Sequence, residues 1–251
     1  MTAAVDLNAD LGEGAATDEA LLAIITSANI ACGGHAGDAE TMRRTVRLAR
    51  ARGVGVGAHP SYPDREGFGR RVITMPPEHL TEVLAGQIQV LGDIAEAEGV
   101  RLQHVKAHGA LYNLAVGDET VAEAIGRAML SVDPALIAVA LAGAAMGEVF
   151  VRLGLRVLHE AFVDRGYTAT RTLVSRDHPG ALITDPVEAG ARAVRMVRSG
   201  LVSSVDGDDV HVLAQTLCVH ADTPGSPAIA AAARRALEAA GVRVVPMREL
   251  A

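Results

Sequence analysis

The segment LQHVKAHGALYN, residues 102–113, places two histidines four residues apart with a lysine between them. On a helix, His104 and His108 would share a face and could bind one zinc ion. On a strand, the same spacing spans about 13 Å, which is too far for a shared metal. The segment is short and breaks at Gly109, so we predict a strand that turns both histidines and Lys106 toward one face. A lysine in such a place could stabilise a developing anion, or bind a phosphate or carboxylate group.

The same alternation predicts inward-facing polar side chains on other strands. In DLNADL the apolar residues would pack outward while Asn8 and Asp10 point inward, and in VGVGAH two glycines leave room beside His59. A purely structural barrel fills its interior with branched apolar side chains, and burying many charges without a task is costly. The strand residues that we therefore assign to a candidate active site are Asn8, Asp10, His59, Lys106, His108, Glu160, Asp164 and His220.

Several residues outside these positions have alternative interpretations. His35 follows two glycines just past a predicted strand, and we favour a place in the site over one on a surface loop. Glu13 is either a site acid or a solvated loop residue, and Arg70 either grips an anion or solvates its loop. His104 lies deeper along its strand and is expected to be structural.

The elements that must position these residues form a repeating pattern. Helix starts are marked by Asp38, by Pro76 and Pro77, and by Asp185. Seven or eight strand–helix units predict a parallel sheet, and the length favours a closed α/β barrel of TIM type, a single catalytic domain over residues 1–251. The predicted strands are Ala4–Asp10, Ala28–Cys32, Val54–His59, Leu102–His108, Leu136–Leu141, Arg156–Val163, part of Val210–His220, and Val242–Pro246.

Composition excludes several other classes of protein. The net charge of −7 argues against a nucleic-acid partner, which requires a basic face. The N-terminal sequence does not resemble a secretory signal, and the longest apolar run is too short to span a bilayer, so no membrane partner is expected. Two isolated cysteines, Cys32 and Cys218, predict reduced thiols and a cytoplasmic protein.

Six segments together carry the pattern of a known family. They are DLNADLGEG, SANIACGGHAGD, GAHPSYPDREGFGRR, VKAHGALYN, EAFVDRGY and VHADTPGS, and they run in order from residue 6 to about residue 226. In these segments the chain resembles the LamB/YcsF family. The resemblance implies an irregular (β/α) barrel of the glycoside hydrolase/deacetylase type with about seven strands. The chain departs from the family pattern at Gly34, Ala107 and Ala221, where the family usually has Phe, Pro and Gly.

The resemblance also implies an activity, that of one component of an ATP-dependent 5-oxoprolinase. This hydrolase opens the cyclic amide of 5-oxo-L-proline to L-glutamate together with two other subunits. ATP would be a co-substrate, and because the chain has neither a G-x-G-x-x-G nor a Walker motif, a partner subunit could bind it. For this activity the expected catalytic residues are Asp10, His59, Lys106, His108 and Glu160. The expected substrate-binding residues are Asn8, His35, Asp164, Arg165 and His220, with Lys106 and Arg165 holding phosphoryl or carboxylate groups.

Two other functions stay open at this point. A metal-dependent carbohydrate deacetylase would need an aspartate and two histidines around one divalent ion, as Asp10, His59 and His108 could provide. The paired-histidine motif typical of those enzymes is missing, and Lys106 would repel a metal, so we assign no metal ligands and leave a divalent ion open. The second alternative is a non-catalytic binding subunit of a complex.

Overall fold

The computed structural model describes residues 3–250, and parallel strands form its centre. The strands are β1 (Ala4–Leu11), β2 (Ser27–Ala31), β3 (Gly55–His59), β4 (His104–Val105), β5 (Ile137–Leu141), β6 (Arg156–Phe162), β7 (Leu201–Ser203), β8 (Asp209–His211), β9 (Thr216–His220) and β10 (Arg243–Val244). Seven of them, β1 to β6 and β9, pair in parallel around a ring that closes where β9 bonds to both β6 and β1. The predicted α/β barrel of about seven strands is confirmed.

Helices surround the barrel and begin where the sequence signals indicate. They are α1 (Asp18–Leu22), α2 (Ala39–Ala51), α3 (Pro77–Ala97), α4 (Gly109–Ala115), α5 (Glu119–Val132), α6 (Ala145–Arg152), α7 (Pro186–Ser199) and α8 (Ser226–Ala239), followed by a 3₁₀ helix (Met247–Glu249). The Asp38 carboxylate caps α2 by accepting the Thr41 amide at 2.8 Å, and Asp185 caps α7 in the same way. Among residues 3–250, no helix is long and apolar enough to cross a membrane.

Three predicted strands differ from the structure. The segment 210–220 divides into β8, which forms an antiparallel hairpin with β7, and the barrel strand β9. The segment 242–246 contains only the short β10, which pairs with the start of β1 outside the ring. The segment 102–108 has regular pairing only at His104 and Val105, although His108 keeps an extended backbone before α4.

The barrel interior has two chemically different ends. Near the amino ends of the strands, Ile137, Val139 and Leu158 pack against Met247 of the 3₁₀ helix. A polar group of Asp6, Ser27 and Thr216 also lies near the amino ends, and the side chains of the cavity lie toward the carboxyl ends. The apolar residues that alternate with them, such as Val5 and Leu7 of β1, are fully buried in the main core. The predicted inward and outward faces of β1 are therefore confirmed.

Candidate active site

A cavity of about 450 Å³ opens at the carboxyl ends of the strands. Asp10 of β1, His59 of β3 and His220 of β9 stand at the last positions of their strands or close to them, and their side chains line it. Lys106 and His108 reach the same space from the extended segment after β4. The cavity is further lined by Glu13, Arg70, Tyr112, Phe162, Arg165, Arg176 and Asp222.

Lys106 lies between two carboxylates in the wall of this cavity. Its Nζ is 3.0 Å from Asp10 Oδ1, 3.0 Å from Glu160 Oε1 and 3.0 Å from Cys218 Sγ. Burial would lower the pKa of Lys106, but the two carboxylates outweigh it and raise this pKa well above its ordinary value. Burial would likewise raise the pKa of Asp10, but the charges of His59 and Lys106 hold it well below its ordinary range. The lysine is therefore charged and the aspartate ionised.

Three histidines surround Glu13 on one side of the cavity. Glu13 Oε1 is 2.8 Å from His35 Nε2, 3.2 Å from His108 Nδ1 and 3.7 Å from His59 Nε2. The His35 and His108 rings stack in parallel with centroids 3.6 Å apart, whereas the His59 and His108 rings are nearly perpendicular. Chiefly through burial, the pKa of His35 falls to about 4 and the pKa of His108 also falls. Glu13, which the sequence left open, thus belongs to the site.

His220, another residue of the cavity wall, is held by a buried carboxylate. Its Nδ1 lies 3.1 Å from both oxygens of Asp164, which also accepts the His220 amide and the Thr223 hydroxyl. The ring stacks on Phe162 with centroids 5.1 Å apart. Because the carboxylate fixes the proton on Nδ1, the neutral ring presents an unprotonated Nε2. This arrangement suits a general base.

Four predicted site residues lie behind the cavity wall. Asn8 is fully buried, and its amide donates to Glu160 Oε1 at 3.1 Å and to Thr216 Oγ1 at 2.6 Å. Glu160 is also fully buried and accepts the Tyr112 hydroxyl at 3.0 Å. Asp164 and His35 similarly contact cavity residues without lining the cavity themselves. In the structure Glu160, Asp164 and His35 contact side chains that face the open space, and Asn8 supports Glu160 from behind.

The arginines lie at the mouth of the cavity. Arg165 donates to the backbone oxygens of Ala181 and Val174, so its guanidinium braces the loop over residues 163–185. Arg70 and Arg176 come from different loops and both pair with Asp222, at 2.7 and 3.0 Å. The sequence predicted that Arg165 contacts an anion, and the structure shows a loop brace that borders the cavity.

Sequence reasoning missed three further contributors. Tyr112 and Phe162 supply a hydroxyl and an aromatic wall, and Ser61 Oγ lies 3.1 Å from His35 Nδ1. Phe162 lies two residues from Glu160 and two from Asp164. Strand alternation therefore places it on the same inward face, and this pattern could have identified it. Tyr112 lies on α4 and Ser61 in an irregular loop, where the strand period gives no signal.

A closed parallel barrel with a polar cavity at the carboxyl ends of its strands has the architecture of the (β/α)-barrel enzymes. The LamB/YcsF family model matches residues 5–251, and the chain belongs to this family. A relative from Chloroflexus aggregans, described as one of the subunits of 5-oxoprolinase, is 50% identical over 245 residues, which cover 96% of this chain and 97% of the relative.

Two solved structures show the same architecture. The lactam utilization protein from Thermus thermophilus is 45% identical, with a TM-score of 0.91 over 97% of this chain and 100% of that protein. A deacetylase solved with its substrate has a TM-score of 0.52 at 16% identity, over 99% of this chain and 90% of that protein. At that identity the deacetylase shares the fold alone.

Proposed function

We propose that this chain is the barrel component of a multi-subunit 5-oxoprolinase that opens the lactam of 5-oxo-L-proline to L-glutamate with coupled ATP hydrolysis. The observation that carries the proposal is the cavity, where the Lys106 ammonium and the His220 imidazole face one polar space. The descriptions of the relative from Chloroflexus aggregans and of the lactam utilization protein support the choice of a lactam substrate. The cavity volume of about 450 Å³ falls within the usual range for small-molecule sites.

The chemistry explains why ATP is needed. A lactam is a resonance-stabilised amide, and phosphorylation of its oxygen makes the ring carbon open to attack by water. The tetrahedral carbon that forms can expel the ring nitrogen once this nitrogen is protonated, which leaves an acyl phosphate. A second water then releases phosphate and glutamate. The steps require a base, a positive charge near the oxyanion and a proton donor for nitrogen.

Side chains of the cavity match these needs. His220 Nε2 accepts the proton of the attacking water, and the Asp164 carboxylate stabilises the imidazolium that forms. The same proton can then pass to the ring nitrogen as the C–N bond breaks. Lys106 supplies positive charge, and its contact with the Cys218 thiol is the one that a substrate oxygen can most readily replace. Asp10 and Glu160 hold the ammonium in place.

Partner subunits complete the proposal. The chain carries no recognisable nucleotide-binding motif, so we propose that ATP reaches the reaction through one of two partner subunits. All described elements would belong to one catalytic barrel domain. Since the reaction consumes ATP, the complex would work in the cytoplasm.

The test is glutamate release from 5-oxoproline and ATP by the two candidate partner subunits, with this chain added or left out. We expect glutamate only when the chain is present. His220→Gln should lower turnover by about 10²- to 10⁴-fold, the usual contribution of a general base. His178→Gln is the matched control, because His178 is exposed on a loop and does not line the cavity.

Either of two results would contradict the proposal. Glutamate formation without this chain would remove it from the catalytic machinery, and full turnover by the His220 variant would remove the assigned base. If no mixture releases glutamate, the substrate is wrong, and acetylated sugars become the next substrates to screen.

A further inference from the structure

Glu13, His59 and His108 bring one oxygen and two nitrogens close together on the cavity wall. His108 Nδ1 is 3.0 Å from His59 Nε2 and 3.2 Å from Glu13 Oε1, and His59 Nε2 is 3.7 Å from the same oxygen. In a tetrahedral zinc site with bonds of about 2.0–2.1 Å, neighbouring ligand atoms are about 3.3 Å apart. The three observed separations bracket this value.

Hydrogen bonding fixes where the two histidines carry their protons. His59 Nδ1 lies 2.7 Å from the Lys106 carbonyl oxygen, and His108 Nε2 lies 2.9 Å from the Phe68 carbonyl oxygen. A carbonyl oxygen only accepts, so each ring must donate from that nitrogen. When both rings are neutral, as metal binding requires, His59 Nε2 and His108 Nδ1 direct lone pairs at each other. The Asp10 carboxylate, 3.4 Å from His59 Nε2, adds negative charge beside them. A proton or a cation must therefore lie between the two nitrogens.

One proton could serve the cluster only in a bifurcated bond from His108 Nδ1 to both His59 Nε2 and the Glu13 oxygen, at 3.0 and 3.2 Å. If His59 Nε2 were protonated and donated to His108 Nδ1, the Glu13 oxygen would still face the nitrogen of His108 without a proton between them. One divalent cation would satisfy all three groups at once.

The surroundings resemble the outer shell of a metal site. Metal-binding histidines usually donate their second N–H to a carbonyl or carboxylate, and both rings do so here. The rings of His59 and His108 are inclined at 88°, so one ion can lie in both ring planes. The ring of His35 is parallel to that of His108, which prevents a shared ion, and His35 is left to position Glu13.

We propose that Glu13, His59 and His108 bind one divalent transition-metal ion of the zinc type, with a coordination position open to the cavity. Two imidazoles and a carboxylate suit zinc. Lys106 does not prevent binding, because Asp10 and Glu160 offset its charge. A second group, Asp10 with Cys218 and His220, is a poorer candidate because the Lys106 ammonium already contacts Asp10 and Cys218, each at 3.0 Å. The proposal is independent of the lactam substrate.

The test uses the purified chain, stripped with a chelator and titrated with Co²⁺ as a spectroscopic substitute for zinc. We expect one ion per chain and ligand-field absorption. Glu13→Gln, His59→Gln and His108→Gln should each weaken binding by more than about 100-fold, and the positioning variant His35→Gln by about 10-fold. His79→Gln, at an exposed position, is the matched control and should bind normally.

Thermal unfolding gives a second readout that is separate from activity. Zinc should raise the Tm of the parent and of His79→Gln, but not of Glu13→Gln, because only a bound ion stabilises the native state. Failure of the folded parent chain to bind Co²⁺ would overturn the proposal and leave a proton shared by the two imidazoles. Equal affinity in the parent and all three ligand variants, or loss of binding in Cys218→Ser alone, would also overturn it.

Discussion

The position of Lys106 makes its charge and its neighbours interdependent. Lys106 is 2% exposed, and its ammonium contacts two carboxylates, Asp10 and Glu160. Removing one member of a buried ion network leaves an uncompensated charge, which commonly costs about 3–5 kcal/mol. A loss of activity in a lysine variant could therefore reflect either lost chemistry or lost stability. Activity and stability must both be measured to distinguish these two causes.

We expect Lys106→Met to lower both stability and turnover. Turnover should fall by at least about 100-fold, because the positive charge near the developing oxyanion is lost. In the double variant Lys106→Met/Glu160→Gln, one of the two uncompensated carboxylates is removed, so much of the lost stability should return while turnover stays low. Urea unfolding and glutamate release measure the two quantities. Recovery of turnover together with stability would show that Lys106 is only structural.

Much of the site at this scale could be predicted from strand alternation. Asp10, His59 and His220 lie at or near strand ends, and period two was enough to place them in one cavity. Glu13 could not be assigned, because it follows β1 in an irregular turn where the period gives no information. The direction of the Arg165 guanidinium could not be predicted from the sequence either, because it depends on the path of its own loop.

At the scale of the element, the glycines of β3 determine how closely the neighbouring strand approaches. Gly57 pairs with His104, and a Cβ at this position would collide with the buried imidazole ring. The sequence predicted that these glycines leave room, and the structure confirms it. His104 cannot simply move aside, because its Nε2 is 2.8 Å from Asn29 Oδ1 in the barrel interior.

Gly57→Ala should therefore destabilise the protein by about 1–3 kcal/mol, the usual cost of overpacking. Gly86→Ala is the matched control, because Gly86 lies inside α3 with open space around its Cβ position. That control should gain up to about 1 kcal/mol, because alanine favours a helix interior. Chemical denaturation of both variants checks the pair. Equal changes in stability in the two variants would show that contact with His104 does not restrict the side chain at position 57.

The Asp6 side chain of β1 connects three neighbouring barrel strands near their amino ends. Its carboxylate accepts the Thr26 and Ser27 hydroxyls at 2.8 and 2.6 Å and the Thr216 hydroxyl at 2.5 Å. Burial raises the pKa of Asp6 to about 6, even though these hydrogen bonds lower it. The folded state therefore binds this proton more tightly than the unfolded chain does. The stability that Asp6 contributes is complete below pH 3.8 and is lost as pH rises through about 6.

Asp6→Asn should change the pH dependence of stability in a defined direction. The free energy of unfolding of the parent, minus that of the variant, should fall by about 2 kcal/mol between pH 4 and pH 7, because only the parent has a titrating group at this position. Urea unfolding across this range measures the difference, with the exposed Asp206→Asn as control. A difference that stays constant with pH would contradict the assigned pKa.

Helices and strands that are long and regular were easier to predict from the sequence than short ones. The caps at Asp38 and Asp185 marked two helix starts correctly, because a capping side chain bonds within its own first turn. The hairpin of β7 and β8 was missed, since its apolar residues run on toward those of β9. β8 and β9 differ in the strands with which they pair, and the partners of β9, which are β1 and β6, are distant in the sequence.

At the scale of the whole molecule, Asp222 connects the segments around the cavity mouth. It follows β9 and pairs with Arg70 from the loop after β3 and with Arg176 from the loop after β6. These side chains are partly exposed, and such ion pairs add at most about 1 kcal/mol to stability. Their effect should therefore appear in access to the cavity more than in folding.

Asp222→Asn in the assembled complex should raise the KM for 5-oxoproline several-fold while leaving the Tm nearly unchanged, because the two loops lose their shared anchor. Added salt should raise the KM of the parent more than that of the variant, since it screens an ion pair that only the parent has. Asp206→Asn, on the exposed β7–β8 turn, is the control and should match the parent in both quantities. If Asp222→Asn has the same KM and the same salt response as the parent, the loops keep their positions at the cavity mouth without this contact. The bracing of the 163–185 loop by Arg165 would then be the stronger determinant of its shape.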